Sequence, residues 1–156
     1  MNMKKHLLLL FVATLFPMFA NADDSGSCGE NLTWTYTEAT KTLTISGTGA
    51  MDDSDGRPWE PYRKEIQTVI IEEGVTSIGR RAFFYCMNMT SVTIPKSNTS
   101  IGEEAFAFCR GLTSLTIPNG VTSIGDMAFY ECSGLTLVTI PSSVTVIGSS
   151  AFENCI

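Results

Sequence analysis

The chain has 156 residues, 44% of them hydrophobic and 17% charged, with a formal net charge of −6, which is length enough for one ordinary domain. An acidic balance repels phosphate backbones and no basic cluster offsets it, so nucleic acid is excluded as an expected partner. The single histidine, His6, leaves little room for imidazole chemistry anywhere in the chain.

The first segment has the order of a secretory signal. Lys4 and Lys5 precede an apolar run from Leu7 to Phe19, and Ala20-Asn21-Ala22 comes next with small residues on both sides of Asn21. Residues 1–22 therefore read as a signal peptide. The apolar run contains Pro17 and falls short of the roughly 20 residues a bilayer requires, so no membrane span is expected after cleavage. An uncleaved anchor fits less well for that reason. A lipoprotein signal fits less well because Cys28 lies far beyond the run. Cleavage after Ala22 would leave 134 residues with 16 acidic and 8 basic side chains, a formal charge of −8. It would also remove His6, so no Ser–His, Cys–His or His–metal constellation is expected. The expectation is a protein that is not an enzyme and holds no cofactor or metal.

In residues 23–65, Leu32-Thr-Trp34-Thr-Tyr36 and Leu43-Thr-Ile45-Ser46 alternate apolar and polar side chains at period 2. This predicts a β-hairpin, whose apolar face, with Trp34 and Trp59, could cap the segment from Ile66 onward. Asp52, Asp53 and Asp55 resemble a calcium loop. An EF-hand ending its turn at Gly56 would place ligands at Met51 and Tyr62, which cannot serve, so a solvated loop is preferred.

From Ile66 to Ile156 the chain repeats every 23 residues. Ile78, Ile101, Ile124 and Ile147 keep this step, each followed by glycine. So do Ala82-Phe83, Ala105-Phe106, Ala128-Phe129 and Ala151-Phe152, and Cys86, Cys109, Cys132 and Cys155. Val69, Val92, Leu115 and Val138 mark a short strand in each unit, and Ile71, Ile94, Ile117 and Ile140 close it. Proline comes after the last three, where it stops a ladder that needs an N–H. Val121-Thr-Ser-Ile124 predicts a second short strand, Gly125 a turn, and Ala128-Phe129 an interior plug. One such coil cannot bury its own apolar face, but neighbours stacked about 4.8 Å apart can.

The pattern Ile-Pro-x-x-Val-Thr-Ser-Ile-Gly-x-x-Ala-Phe-x-x-Cys resembles the BspA-type leucine-rich repeat of bacterial and protist surface proteins. Leu43-Thr-Ile-Ser-Gly-Thr-Gly-Ala-Met51 and Pro58-Trp59 resemble the region often found ahead of such repeats. Glu72 departs from the pattern by standing where later coils carry proline. Lys96-Ser-Asn-Thr99 departs too, with Thr99 read as occupying the usual valine position and loosening its coil. The expected fold is mainly β: a right-handed leucine-rich repeat solenoid of about four 23-residue coils over 66–156, the last incomplete, with the hairpin cap before it. The chain stops one residue past Cys155. Three readings of that end stay open: a short protein, a truncated sequence, or a last coil that pairs with another chain by self-association.

Among side chains that carry chemistry, the four aligned cysteines are expected to pack as buried thiols. In-register side chains point the same way, which suits neither a disulfide nor a tetrahedral cage. Arg80-Arg81 and Glu103-Glu104 should meet as exposed ion pairs between coils, and the acids at the turns should stay ionised and wet. Asn31, Asn88 and Asn98 begin glycosylation sequons. The outward strand residues Ser91, Thr93, Ser114, Thr116, Leu137 and Thr139 are the candidate binding face, although threonine also simply suits exposed strands. Phe84, Tyr85, Phe108 and Tyr130 form a weaker second patch. The resemblance implies a secreted or cell-surface module that attaches to extracellular or surface proteins, with periplasmic residence also compatible. The alternatives are a structural spacer, or fragment of a longer secreted repeat protein, and a hydrolase accessory module.

Overall fold

The computed structural model describes residues 23–53 and 57–155. The signal-peptide segment, Ser54-Asp55-Gly56 of the acidic loop and Ile156 lie outside the described residues. Three strands open the fold: β1 (Asp24–Gly29), β2 (Leu32–Thr37) and β3 (Thr42–Gly47), with β2 antiparallel to both β1 and β3. The hairpin of β2 and β3 is the one its alternation predicts. Strand β1 is an addition: Asp-Ser-Gly-Ser-Cys-Gly offers no apolar alternation, and the strand is held by backbone pairing to β2.

Next come β4 (Gly49–Ala50), a single 3₁₀ turn over Glu60–Tyr62, and two strands in each coil. The first strands are β5 (Thr68–Ile71), β7 (Ser91–Thr93), β9 (Ser114–Thr116) and β11 (Leu137–Thr139). The second strands are β6 (Val75–Ile78), β8 (Ser100–Ile101), β10 (Ser123–Ile124) and β12 (Val146–Ile147). Pairing between coils is parallel and in register at 23 residues: Val69 faces Val92, Leu115 faces Val138, and Ile78, Ile101, Ile124 and Ile147 face one another in turn. Strand β3 joins the same ladder, Leu43 beside Val69 and Ile45 beside Ile71, and so hands the hairpin's apolar face to the first coil. The molecule is a β-solenoid of about four turns.

The core is a set of columns. Phe83, Phe106, Phe129 and Phe152 stack with ring centroids 5.1–5.2 Å apart, and Trp59 starts the pile 5.8 Å from Phe83. The Trp59 indole N–H donates to the Ala82 carbonyl at 2.8 Å, which pins the cap to the first coil. Trp34 packs edge-on against Trp59 at 6.2 Å, so both tryptophans serve the capping role expected of them.

Three local expectations are corrected. The glycine after each isoleucine does not turn the chain, because none of these glycines has a positive φ. Their role is close approach: a Cβ on Gly125 would lie 2.6 Å from the Glu103 backbone nitrogen, and one on Gly148 2.4 Å from that of Asp126. The turning is done by two non-glycine residues per coil in the left-handed region: Arg81 and Tyr85, Glu104 and Phe108, Met127 and Glu131, Ser150 and Asn154. Between them, N–H groups alternate in target. Arg81, Phe83 and Tyr85 donate to Glu103, Ala105 and Ala107 of the next coil, whereas Ala82, Phe84 and Cys86 bond within their own turn.

The second correction concerns the valine column. Val75, Val121 and Val144 share it with Asn98, which is fully buried, while Thr99 lies outside and exposed. In the orientation that satisfies both ends of its amide, Asn98 donates to the Ser100 carbonyl at 2.9 Å and accepts the Ile78 N–H at 3.3 Å. The substitution therefore ties two coils together where a loosened coil was expected. Burial also withdraws this asparagine from any glycosylating enzyme in the folded state. Thirdly, Glu104 is not an exposed partner. Its side chain is 14% accessible and receives both Arg81 Nε at 2.8 Å and Arg81 NH2 at 2.9 Å.

Candidate interaction surface

The hydroxyls fall into two classes, which the structure separates. Thr99, Thr122 and Thr145 each donate a side-chain hydrogen bond to the carbonyl of the threonine one coil back, at 3.0, 3.1 and 3.3 Å. Thr90 and Thr136 do the same to Gln67 and Thr113. These groups are used up in holding coil to coil. On the other face, Ser91, Thr93, Ser114, Thr116 and Thr139 are exposed, and among the described residues none makes a side-chain hydrogen bond.

Strands β7, β9 and β11 position this second class because their central residues, Val92, Leu115 and Val138, turn inward and force both neighbours out. Leu137 also points outward and is 64% exposed. The six residues do not share one continuous ladder: one sheet runs β1-β2-β3-β5-β7, and β9 with β11 forms a separate pair. Even so, Ser91, Thr93, Ser114 and Thr116 line one open groove of about 630 Å³ that crosses the junction, with Leu137 and Thr139 beyond its lining.

Sequence reasoning did not place the rim of this groove. Glu72, Glu73 and Lys96 stand on it. The only signal was Glu72 breaking the proline column. The Glu73 carboxylate accepts the backbone N–H groups of Lys96 and Ser97 at 3.1 and 3.2 Å. The Lys96 N–H above all holds its pKa below the ordinary carboxylate range. It stays ionised, the reverse of what a proton-donating acid of glycoside hydrolysis needs.

The cysteine column is a structural device. Cys109, Cys132 and Cys155 each donate an S–H bond, at 3.1–3.2 Å, to the carbonyl of Phe83, Phe106 and Phe129 respectively. Burial pushes Cys86 and Cys132 up to about 12 and Cys109 well above its ordinary value. Thiols so disposed are poor nucleophiles. The aromatic patch also assembles: Phe84, Phe108 and Tyr130 pack edge to face at 5.6 and 5.5 Å, and Tyr85 stacks on Phe108 at 4.4 Å. Asp53 of the acidic loop accepts the Arg80 N–H at 2.8 Å. Among the described residues no helix is long and apolar enough to cross a membrane.

Stacked short strands, an aromatic pile and a hydroxyl-lined outer face define a repeat scaffold of the leucine-rich type. The chain belongs to the BspA-type leucine-rich repeat family, whose profile, described as "BspA type Leucine rich repeat region (6 copies)", matches residues 62–156. That membership makes it a protein-interaction repeat module. Among solved structures it is similar to a leucine-rich repeat protein from Eubacterium ventriosum, at 32% identity and a TM-score of 0.64, covering 86% of this chain and 43% of that one. A leucine-rich repeat protein from Bacteroides ovatus is 34% identical with a TM-score of 0.57, over 60% of this chain and 24% of that one. A leucine-rich cell surface protein from Faecalibacterium prausnitzii, 24% identical with a TM-score of 0.52 over 87% and 53% of the two chains, shares the fold. The chain thus spans less than half the length of the first two. No protein with a curated description matches it.

Proposed function

We propose that the groove lined by Ser91, Thr93, Ser114 and Thr116, continued by Leu137 and Thr139, binds an extracellular or cell-surface protein and mediates adhesion. The observation that carries this reading is the sorting of the hydroxyls. Those that stabilise the stack are bonded to carbonyls, while those on the groove keep their full hydrogen-bonding capacity for a ligand. On this reading residues 1–22 direct export and are removed, residues 23–65 cap the stack, and residues 66–156 present the face outside the cell. Carboxylates that remain ionised and thiols held neutral support a binding role over catalysis.

The test is a binding screen of the purified chain against a panel of extracellular and bacterial surface proteins. At least one partner should bind, and Thr116→Arg should weaken it by about tenfold or more, because it fills the centre of the contact. Absence of any partner sensitive to Thr116→Arg would refute the reading. The spacer alternative draws on a different observation. Val146 and Ile147 are 57% and 52% exposed, although their coil equivalents are partly or fully buried. Such a surface is one that another coil or a second copy would cover, and sedimentation of the purified chain tests self-association through it.

A further inference from the structure

We propose that a second surface, the groove between the aromatic turns, takes a lysine or arginine side chain from a basic segment of a protein partner. This goes beyond the sheet-face reading and does not rest on it, since the two grooves share no lining residue. The second groove, about 350 Å³, lies among Phe84, Phe108, Tyr130 and Met127, with Glu104 and Glu153 at its polar side.

The argument comes from a pattern that repeats along the turns and then stops. Phe84 carries the guanidinium groups of Arg57 and Arg81 at 5.6 and 5.4 Å from its centroid, and Phe108 carries that of Arg110 at 5.6 Å. Two of these arginines also bind carboxylates of the next coil, Arg81 to Glu104 and Arg110 to Glu131. Ring, guanidinium and carboxylate thus form one unit, held by cation–π attraction and an ion pair. At Tyr130 the ring and an exposed carboxylate, Glu153, are both present. Among the described residues no cation stands over that ring, and the position that Arg81 fills in its own coil holds Met127, 41% exposed. The unit lacks only its cation. An arginine or lysine from outside would lay its aliphatic stem on Met127 and Ala107 and bring its charge between Tyr130 and Glu153. The formal charge of −6 favours the approach of such a basic segment.

The probe is the peptide acetyl-Gly-Arg-Gly-Arg-Gly-amide, titrated into the full chain by NMR at low salt, beside the same peptide with citrulline for arginine. The arginine peptide should saturate and shift resonances of Tyr130, Met127 and Glu153, and the neutral peptide should bind several-fold more weakly. Tyr130→Leu and Glu153→Gln should each weaken binding about two- to fivefold, while Tyr130→Phe, which keeps the ring, stays within about twofold. Glu30→Gln removes an exposed carboxylate at the capped end and should change nothing. The proposal is overturned if citrulline binds equally or if Glu30→Gln weakens binding as much as Glu153→Gln. It is also overturned if Tyr130→Leu has no effect in a folded variant, or if phosphatidylcholine vesicles bind and the peptide does not.

Discussion

Gly125 shows how a residue's role is set by its neighbours one coil away. In a loop whose backbone tolerates it, Gly→Ala stabilises by about 0.4–1 kcal/mol through the unfolded chain. Here the new methyl would stand 2.6 Å from the Glu103 nitrogen, so Gly125→Ala should destabilise by about 1–3 kcal/mol. Urea unfolding decides between the two signs. The buried thiols make a second prediction. An unfolded cysteine titrates near 8.5, whereas burial holds folded Cys132 up to about 12. Because the folded value is the higher, this contribution to stability is complete below about pH 8.5 and is lost as pH rises towards 12. The loss runs at about 1.4 kcal/mol per pH unit for each such thiol. In reductant, stability should therefore fall between pH 9 and 11, and Cys132→Ala should flatten that fall. Equal slopes for the two proteins would contradict a desolvated thiol column. Asn98→Ala removes both amide contacts at once and should cost about 1–3 kcal/mol by leaving buried groups unpaired.

Each coil is an element that depends on the next. Phe106 is sandwiched between Phe83 and Phe129 and is fully buried, while Phe152 has a ring on one side and is partly exposed. Phe106→Ala should cost about 3–5 kcal/mol, and Phe152→Ala about half that or less. Equal losses would mean that the coils do not act as nearest neighbours. This architecture was legible in the sequence because burial acts on side-chain identity: only apolar residues can stand at Ile78, Phe83 or Leu112, so the 23-residue period shows directly. Features carried by the backbone were not legible. Strand β1 is held by N–H and C=O groups that every residue owns. The left-handed turn positions are filled by Arg, Glu, Met, Ser, Tyr, Phe and Asn, because there the backbone of the next coil supplies the compensating bond. For the candidate face, the outward residues could be read from alternation. Which hydroxyls are free could not, since that depends on where the carbonyls of the neighbouring coil lie.

On the scale of the whole molecule, parallel in-register stacking turns one coil's sequence into columns: rings inside, thiols at one inner corner, hydroxyls on one outer strand, aromatic turns on another surface. Both proposed surfaces exist only because residues 23 apart become neighbours. A slip of one residue would reverse every strand face, exposing Leu115 and burying Thr116. Solution NMR of the purified chain tests the register most directly, through contacts between backbone protons of adjacent strands. Leu115 should contact Val138, and Ile101 should contact Ile124. Contacts of Leu115 with Leu137 or Thr139 in place of Val138, or a helical spectrum without cross-strand contacts, would contradict the stack.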